Sequence, residues 1–188
     1  MRCPLDAFAV GCASDPNGPR GDGTIQVLLT DFPLEAIESA DVTISRIYLT
    51  GGGEGHVDLF NGPEEPHQME LLDLQNGVTL DLTGEVPIPE GSYGQLRFVV
   101  DEARLALADG YTFAGGASDI ELTVPSGFYR VILHGEEDEE DDSGSVVIEG
   151  GETTVVLVDF DVAASFVFQG PLESPIGVLF KPVLMQLP

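Results

Sequence analysis

Residues Thr24-Ile25-Gln26-Val27-Leu28-Leu29-Thr30 decide the fold class. Ile25, Val27 and Leu29 alternate with more polar positions, which puts them on one face of an extended chain, and Asp31-Phe32-Pro33 ends the run in a turn. The same period of two recurs at Leu96/Phe98/Val100, Ala103/Leu105/Leu107, Ile120/Leu122/Val124, Val146/Ile148 and Val156/Val158/Phe160. Shorter pieces fit it at His56–Phe60, Leu80/Leu82, Val131/Leu133 and Phe166/Phe168. Val42 and Ile44 share a parity that Ile47 and Leu49 reverse, so a bulge is expected near Ser45. Val178 to Leu187 reads as a last strand, with Pro182 implying an edge or a bulge. About ten strands, with turn signals every 8–15 residues or so, predict an all-β antiparallel sandwich or barrel.

Two turns stand out. Asn76-Gly77 closes the apolar piece Met69–Leu74, and Asp109-Gly110 between Leu107 and Tyr111 predicts a hairpin with a two-residue loop. Leu34–Ala40 is the one candidate helix. No internal repeat supports a solenoid or propeller. Glu136-Glu137-Asp138-Glu139-Glu140-Asp141-Asp142 is an unbroken run of seven acids, which predicts a solvated loop over residues 135–144.

A chain of 188 residues fits one domain, and its core can bury roughly 70% of the unfolded surface without a metal or disulfide staple. Gly (23) and Pro (13) together exceed average usage and agree with many short strands. Asp plus Glu is 33 against 7 Lys plus Arg, a formal charge of −26. That balance argues against nucleic acid or an anionic lipid surface as partner, because phosphate contacts need clustered cations. It suits a salty or extracellular setting, or simple solubility through mutual repulsion. No apolar run reaches the roughly 18 residues of a spanning helix. The expected organisation is an arm or tether over residues 1–22 and a sandwich over residues 23–188.

Cys3 and Cys12 are the two cysteines, and both precede the first strand. They can be a free thiol pair, a disulfide within or between arms, or a lipid attachment point. Phe8-Ala9-Val10-Gly11-Cys12 looks like a bacterial lipobox, which would make Cys12 the lipidated residue, although Ala9 replaces the usual Leu and Asp6 interrupts the apolar stretch.

Catalytic chemistry finds little purchase. His56, His67 and His134 are the available bases, two of them in Gly/Pro-rich loops, and no Gly-x-Ser-x-Gly elbow accompanies them. Zinc-type spacings and a phosphate loop are absent, and carbohydrate platforms would want Trp, of which there is none. Calcium, which takes about six to eight oxygen ligands, is the best-supported ion. Asp159 and Asp161 flank Phe160 and project from one face of a strand, with Asp31 as a neighbour after the first strand. The competing reading has Phe160 in the core and both carboxylates facing solvent or capping a turn.

In order along the chain, Gly23-Thr24-Ile25-Gln26-Val27-Leu28-Leu29-Thr30-Asp31-Phe32-Pro33, Leu71-Leu72-Asp73-Leu74-Gln75-Asn76-Gly77, Pro89-Glu90-Gly91-Ser92-Tyr93 with Leu96-Arg97, Leu122-Thr123-Val124-Pro125-Ser126-Gly127 and Val158-Asp159-Phe160-Asp161 resemble the DUF4382 family, and Lys181-Pro182-Val183-Leu184 closes the likeness. The resemblance spans about residues 23 to 187 and implies an immunoglobulin- or prealbumin-like sandwich in a secreted or lipid-anchored envelope protein. It implies no activity. The acidic loop and Phe128-Tyr129-Arg130 depart from the family pattern. The expectation is therefore a non-enzymatic, extracellular or cell-surface module with a structural, adhesive or assembly role. Its partners would be other envelope proteins or copies of itself, joined through the N-terminal arm at an open sheet edge, with membrane contact only through a lipid at Cys12. The alternative is a surface lipoprotein binding calcium or a small ligand.

Overall fold

The computed structural model describes residues 21–32, 36–51, 55–124, 129–132 and 145–187. Residues 1–20 of the expected arm, both cysteines, His134 and the acidic run lie outside the described residues, and Asp22 at the end of that arm opens the first strand. Fourteen strands are present among those described, more than the ten or so expected, because several short pieces line two long central strands. These central strands are β2 (Ile37–Gly51) and β7 (Gly91–Leu107), paired antiparallel along nearly their whole length. Beside β2 run β3 (His56–Asn61) and β4 (His67–Glu70). Beside β7 run β8 (Asp119–Leu122), β9 (Tyr129–Ile132) and β10 (Val146–Ile148), which completes a seven-stranded sheet.

The opposing sheet is built on β1 (Asp22–Phe32) and β11 (Thr153–Asp161). Its flanks are β5 (Leu80–Asp81), β6 (Val86–Pro89) and β14 (Leu184–Gln186). β1 and β11 pair in parallel, Thr24 opposite Thr153 through Phe32 opposite Asp161, while the other strand pairs among the described residues are antiparallel, as the sequence predicts. Parallel neighbours need a crossover rather than a tight turn, and here everything from β2 to β10 supplies it. Between the sheets lies one core, with Ile25, Val27, Leu29, Ile44, Ile47, Leu49, Leu96, Phe98, Val158 and Phe160 all fully buried. The alternation that identified the strands thus also identified the dry face.

Parity switches mark real irregularities. The register of β2 shifts between Ile44 and Arg46, near the expected bulge. The change from Val100 to Ala103 is a bulge as well, so two apolar runs form the single strand β7. Four expectations change. Residues 37–40 of the candidate helix Leu34–Ala40 open β2, and short helical turns occur instead at Leu71–Leu74 and in α1 (Val162–Ser165). Asp109-Gly110 does make a turn, with Tyr111 N–H donating to the Ala108 carbonyl, but the chain returns to β7 only at Asp119. A second turn at Phe113–Gly116 fills the gap, and Leu107 N–H reaches the Ser118 carbonyl. His56 and His67 lie in β3 and β4 rather than in loops. Finally, residues 178–187 divide at Pro182 into β13 (Gly177–Phe180) and β14, which belong to different sheets.

β13 pairs with β12 (Phe166–Gln169) in a two-stranded ribbon. Phe166 and Phe180 point inward, their ring centroids 5.1 Å apart, and Phe180 also stacks on Phe160. Buried Ser165 ties the ribbon down: its Oγ accepts the Val183 N–H at 2.8 Å and its carbonyl accepts that of Lys181 at 2.8 Å.

Candidate functional site

Asp159 and Asp161 sit on the outward parity at the end of β11, since Val158 and Phe160 occupy the inward one. Asp159 is nevertheless only 7% exposed, with Thr30 and Met185 as its cross-strand neighbours. Burial first, and the Asp161 charge second, raise its pKa above the ordinary carboxylate value. Asp161 has a structural duty: its Oδ1 accepts the Ala164 N–H at 2.8 Å and caps α1. Asp31 is paired with Phe160 in the register, on the opposite parity from the other two, and its side chain lies outside the described residues. Among the described residues no group of three His, Cys, Asp or Glu side chains is placed to hold a metal ion. The structure brings Asp159 and Asp161 together and leaves Asp31 at the register position beside Phe160, not beside either of them. Cys12 lies outside the described residues.

The chain's scarce cations are placed unevenly, which no local pattern announced. On the outer face of the seven-stranded sheet, Arg46 and Arg97 lie over the Tyr48 ring at 4.6 and 5.9 Å. Arg46 also pairs with Asp58 at 2.6 Å, and Arg97 Nη2 donates to Gln95 Oε1 at 2.9 Å. Register puts Arg130 of β9 directly beside Arg97, so one row across the sheet reads Asp58–Tyr48–Arg97–Arg130. Beyond the bulges the same face turns acidic. There Asp41, Arg104 and Glu121 form one row, and Gln68, Thr43 and Glu102 the next, around an open depression of about 520 Å³. The signal that could have revealed this is the outward parity of Arg46, Tyr48 and Arg97. Their convergence depends on pairings between distant strands.

A third feature is the β12–β13 ribbon. Its outward pair Val167 and Leu179 is 44% and 50% exposed, and Ile176 in the connecting turn is 75% exposed. Only Glu173 is charged between Phe166 and Phe180. His67 stacks on Phe60 at 3.9 Å, and its buried Nε2 has no hydrogen-bond partner among the described residues.

Among the described residues, no helix is long and apolar enough to cross a membrane. Neither curated proteins nor solved structures provide a match. The family model of DUF4382, a domain of unknown function, matches residues 22–179, from the first residue of β1 into β13. Lys181-Pro182-Val183-Leu184 falls beyond that span, and the other quoted motifs fall within it. On a match covering most of its length, the chain belongs to the DUF4382 family.

Proposed function

We propose that the chain is a non-enzymatic β-sandwich module of the cell envelope or extracellular space, with a structural, adhesive or assembly role. The observation that carries this reading is the β12–β13 ribbon. It is anchored inward by Phe166 and Phe180 while Val167, Leu172, Ile176 and Leu179 stand in solvent. Concentrated exposed apolar side chains mark contact surfaces more often than they serve a monomer. Among the described residues β12 and β13 pair only with each other, so each offers its other edge to strand addition. In a chain of charge −26, this nearly uncharged element is where another envelope protein meets the least repulsion. Attachment through the N-terminal arm, by lipid at Cys12 or by strand addition to a neighbour, belongs to the same reading.

The test combines location with surface chemistry. Protease treatment of intact producing cells should remove the protein, and mass spectrometry of the mature N-terminus should show either a diacylglycerol adduct on Cys12 or a Cys3–Cys12 disulfide. Protection from protease together with reduced, unmodified cysteines would refute an envelope role. The second reading, calcium binding, is favoured by one feature, the like-charge crowding of Asp159 by Asp161, which a cation would relieve. Calorimetric unfolding with calcium against chelator decides it, because a ligand of the folded state raises Tm and an unchanged Tm removes the reading.

A further inference from the structure

We propose that the outer face of the seven-stranded sheet is a self-complementary docking surface on which two copies of the chain pair about a two-fold axis. The face is bipolar. One half carries Arg46, paired with Asp58, and Arg97, with Arg130 at the adjoining register position, and the other carries Asp41, Glu102 and Glu121 around the depression. The bulges of β2 and β7 fall between them. The core lies on one side throughout, since Val42, Ile44, Ile47 and Leu49 are all buried. Both halves therefore look outward along one continuous surface.

A two-fold axis through the bulges sets the arginine half of each copy against the acidic half of the other. Every attraction is then made twice, as an isologous interface requires. No other arrangement on this face is as favourable: like halves brought together would oppose arginine to arginine and carboxylate to carboxylate. The depression on the acidic half gives a guanidinium room to approach Glu102 and Glu121. Arg104, between Asp41 and Glu121, offsets part of the acidity without reversing its sign. A second copy is the favoured occupant because the surface complements itself. An unrelated polyanion would be turned away by the −26 charge around the arginines.

That net charge also sets the salt dependence. At about 0.01 M salt the screening length is roughly 30 Å, repulsion acts between whole molecules, and pairing is suppressed. Near 0.15 M it falls to about 8 Å, leaving short-range contacts to act. Near 1 M it is about 3 Å and the contacts weaken in turn. Dimer formation passes through a maximum.

This inference rests on the assembly reading but is tested separately from it. Sedimentation of the full chain at the three salt levels should show most dimer at the middle one. A variant with Arg46→Glu and Arg97→Glu has two acidic halves, and one with Glu102→Arg and Glu121→Arg has two basic halves. Each alone should pair ~10-fold or more weakly than the parent. Mixed in equal amounts they should form a 1:1 pair. Glu102 and Glu121 are exposed, so the second variant keeps its fold, which unchanged far-UV circular dichroism verifies. A monomer at every salt level overturns the docking face while leaving an envelope location standing. So does a dimer that neither variant weakens, or a mixture that fails to associate.

Discussion

Asp159 holds its proton to higher pH in the folded chain than in the unfolded one, because it is buried and Asp161 stands two residues away. The consequence for stability has a definite sign. Between the ordinary value of 3.8 and the raised folded value, the native state binds more protons than the unfolded state. Stability therefore falls as pH rises through that window and stays lower above it. Asp159→Asn should raise Tm at pH 7 and make no difference near pH 3, as thermal unfolding at both pH values will show. Asp161→Asn keeps a capping oxygen and removes the charge, so NMR titration of that variant should find the Asp159 pKa lowered toward 3.8. Ser165 acts differently, since its hydroxyl receives a backbone N–H that has no strand partner. Ser165→Ala should cost about 1–3 kcal/mol in denaturant unfolding.

At the level of elements, the ribbon and the central pair lie at opposite ends of a scale of local stability. Among the described residues β12 and β13 have one neighbour each, whereas β2 and β7 have strands on both sides. Hydrogen exchange should find the β13 amides opening well before those of Leu96–Val100, and equal protection would contradict the topology. How much of this could be read from sequence depended on the range of the interaction. Alternation at Ile25/Val27/Leu29 and Val156/Val158/Phe160 identified strands and core because period and burial are local facts. The parity reversal after Ile44 located a bulge for the same reason. Asp109-Gly110 was readable as a turn but not as a hairpin, because buried Phe113 draws the chain into a second turn before it can pair. Asp159 and Asp161 were visible through their spacing, and the register alone set Asp31 apart. The arginine cluster escaped notice because Tyr48 meets Arg97 and Asp58 only through pairing with β7 and β3.

For the molecule as a whole, the −26 charge means folding gathers like charges onto one surface. Tm should accordingly rise as salt is raised from about 0.01 M toward 1 M, and a fall would show that specific ion pairs outweigh the general repulsion. The dominant pairings, β1 with β11 and β2 with β7, join segments remote in sequence. Refolding after denaturant dilution should therefore take milliseconds to seconds, about the range of non-local β folds, and microsecond folding would count against this topology.

The order β14–β11–β1 also has a mechanical meaning. β1 runs parallel to β11 and β14 runs against it, with Asp22 near the N-terminal end of β11 and Gln186 opposite Val158 in its C-terminal half. Tension applied between Asp22 and Gln186 would run along the strands, shearing the nine β1–β11 pairs together while peeling the three β14 pairs singly from Gln186. A module strung through both of those points would shed β14 first and keep the β1–β11 ladder, whereas one held by a single end would leave the sandwich unloaded.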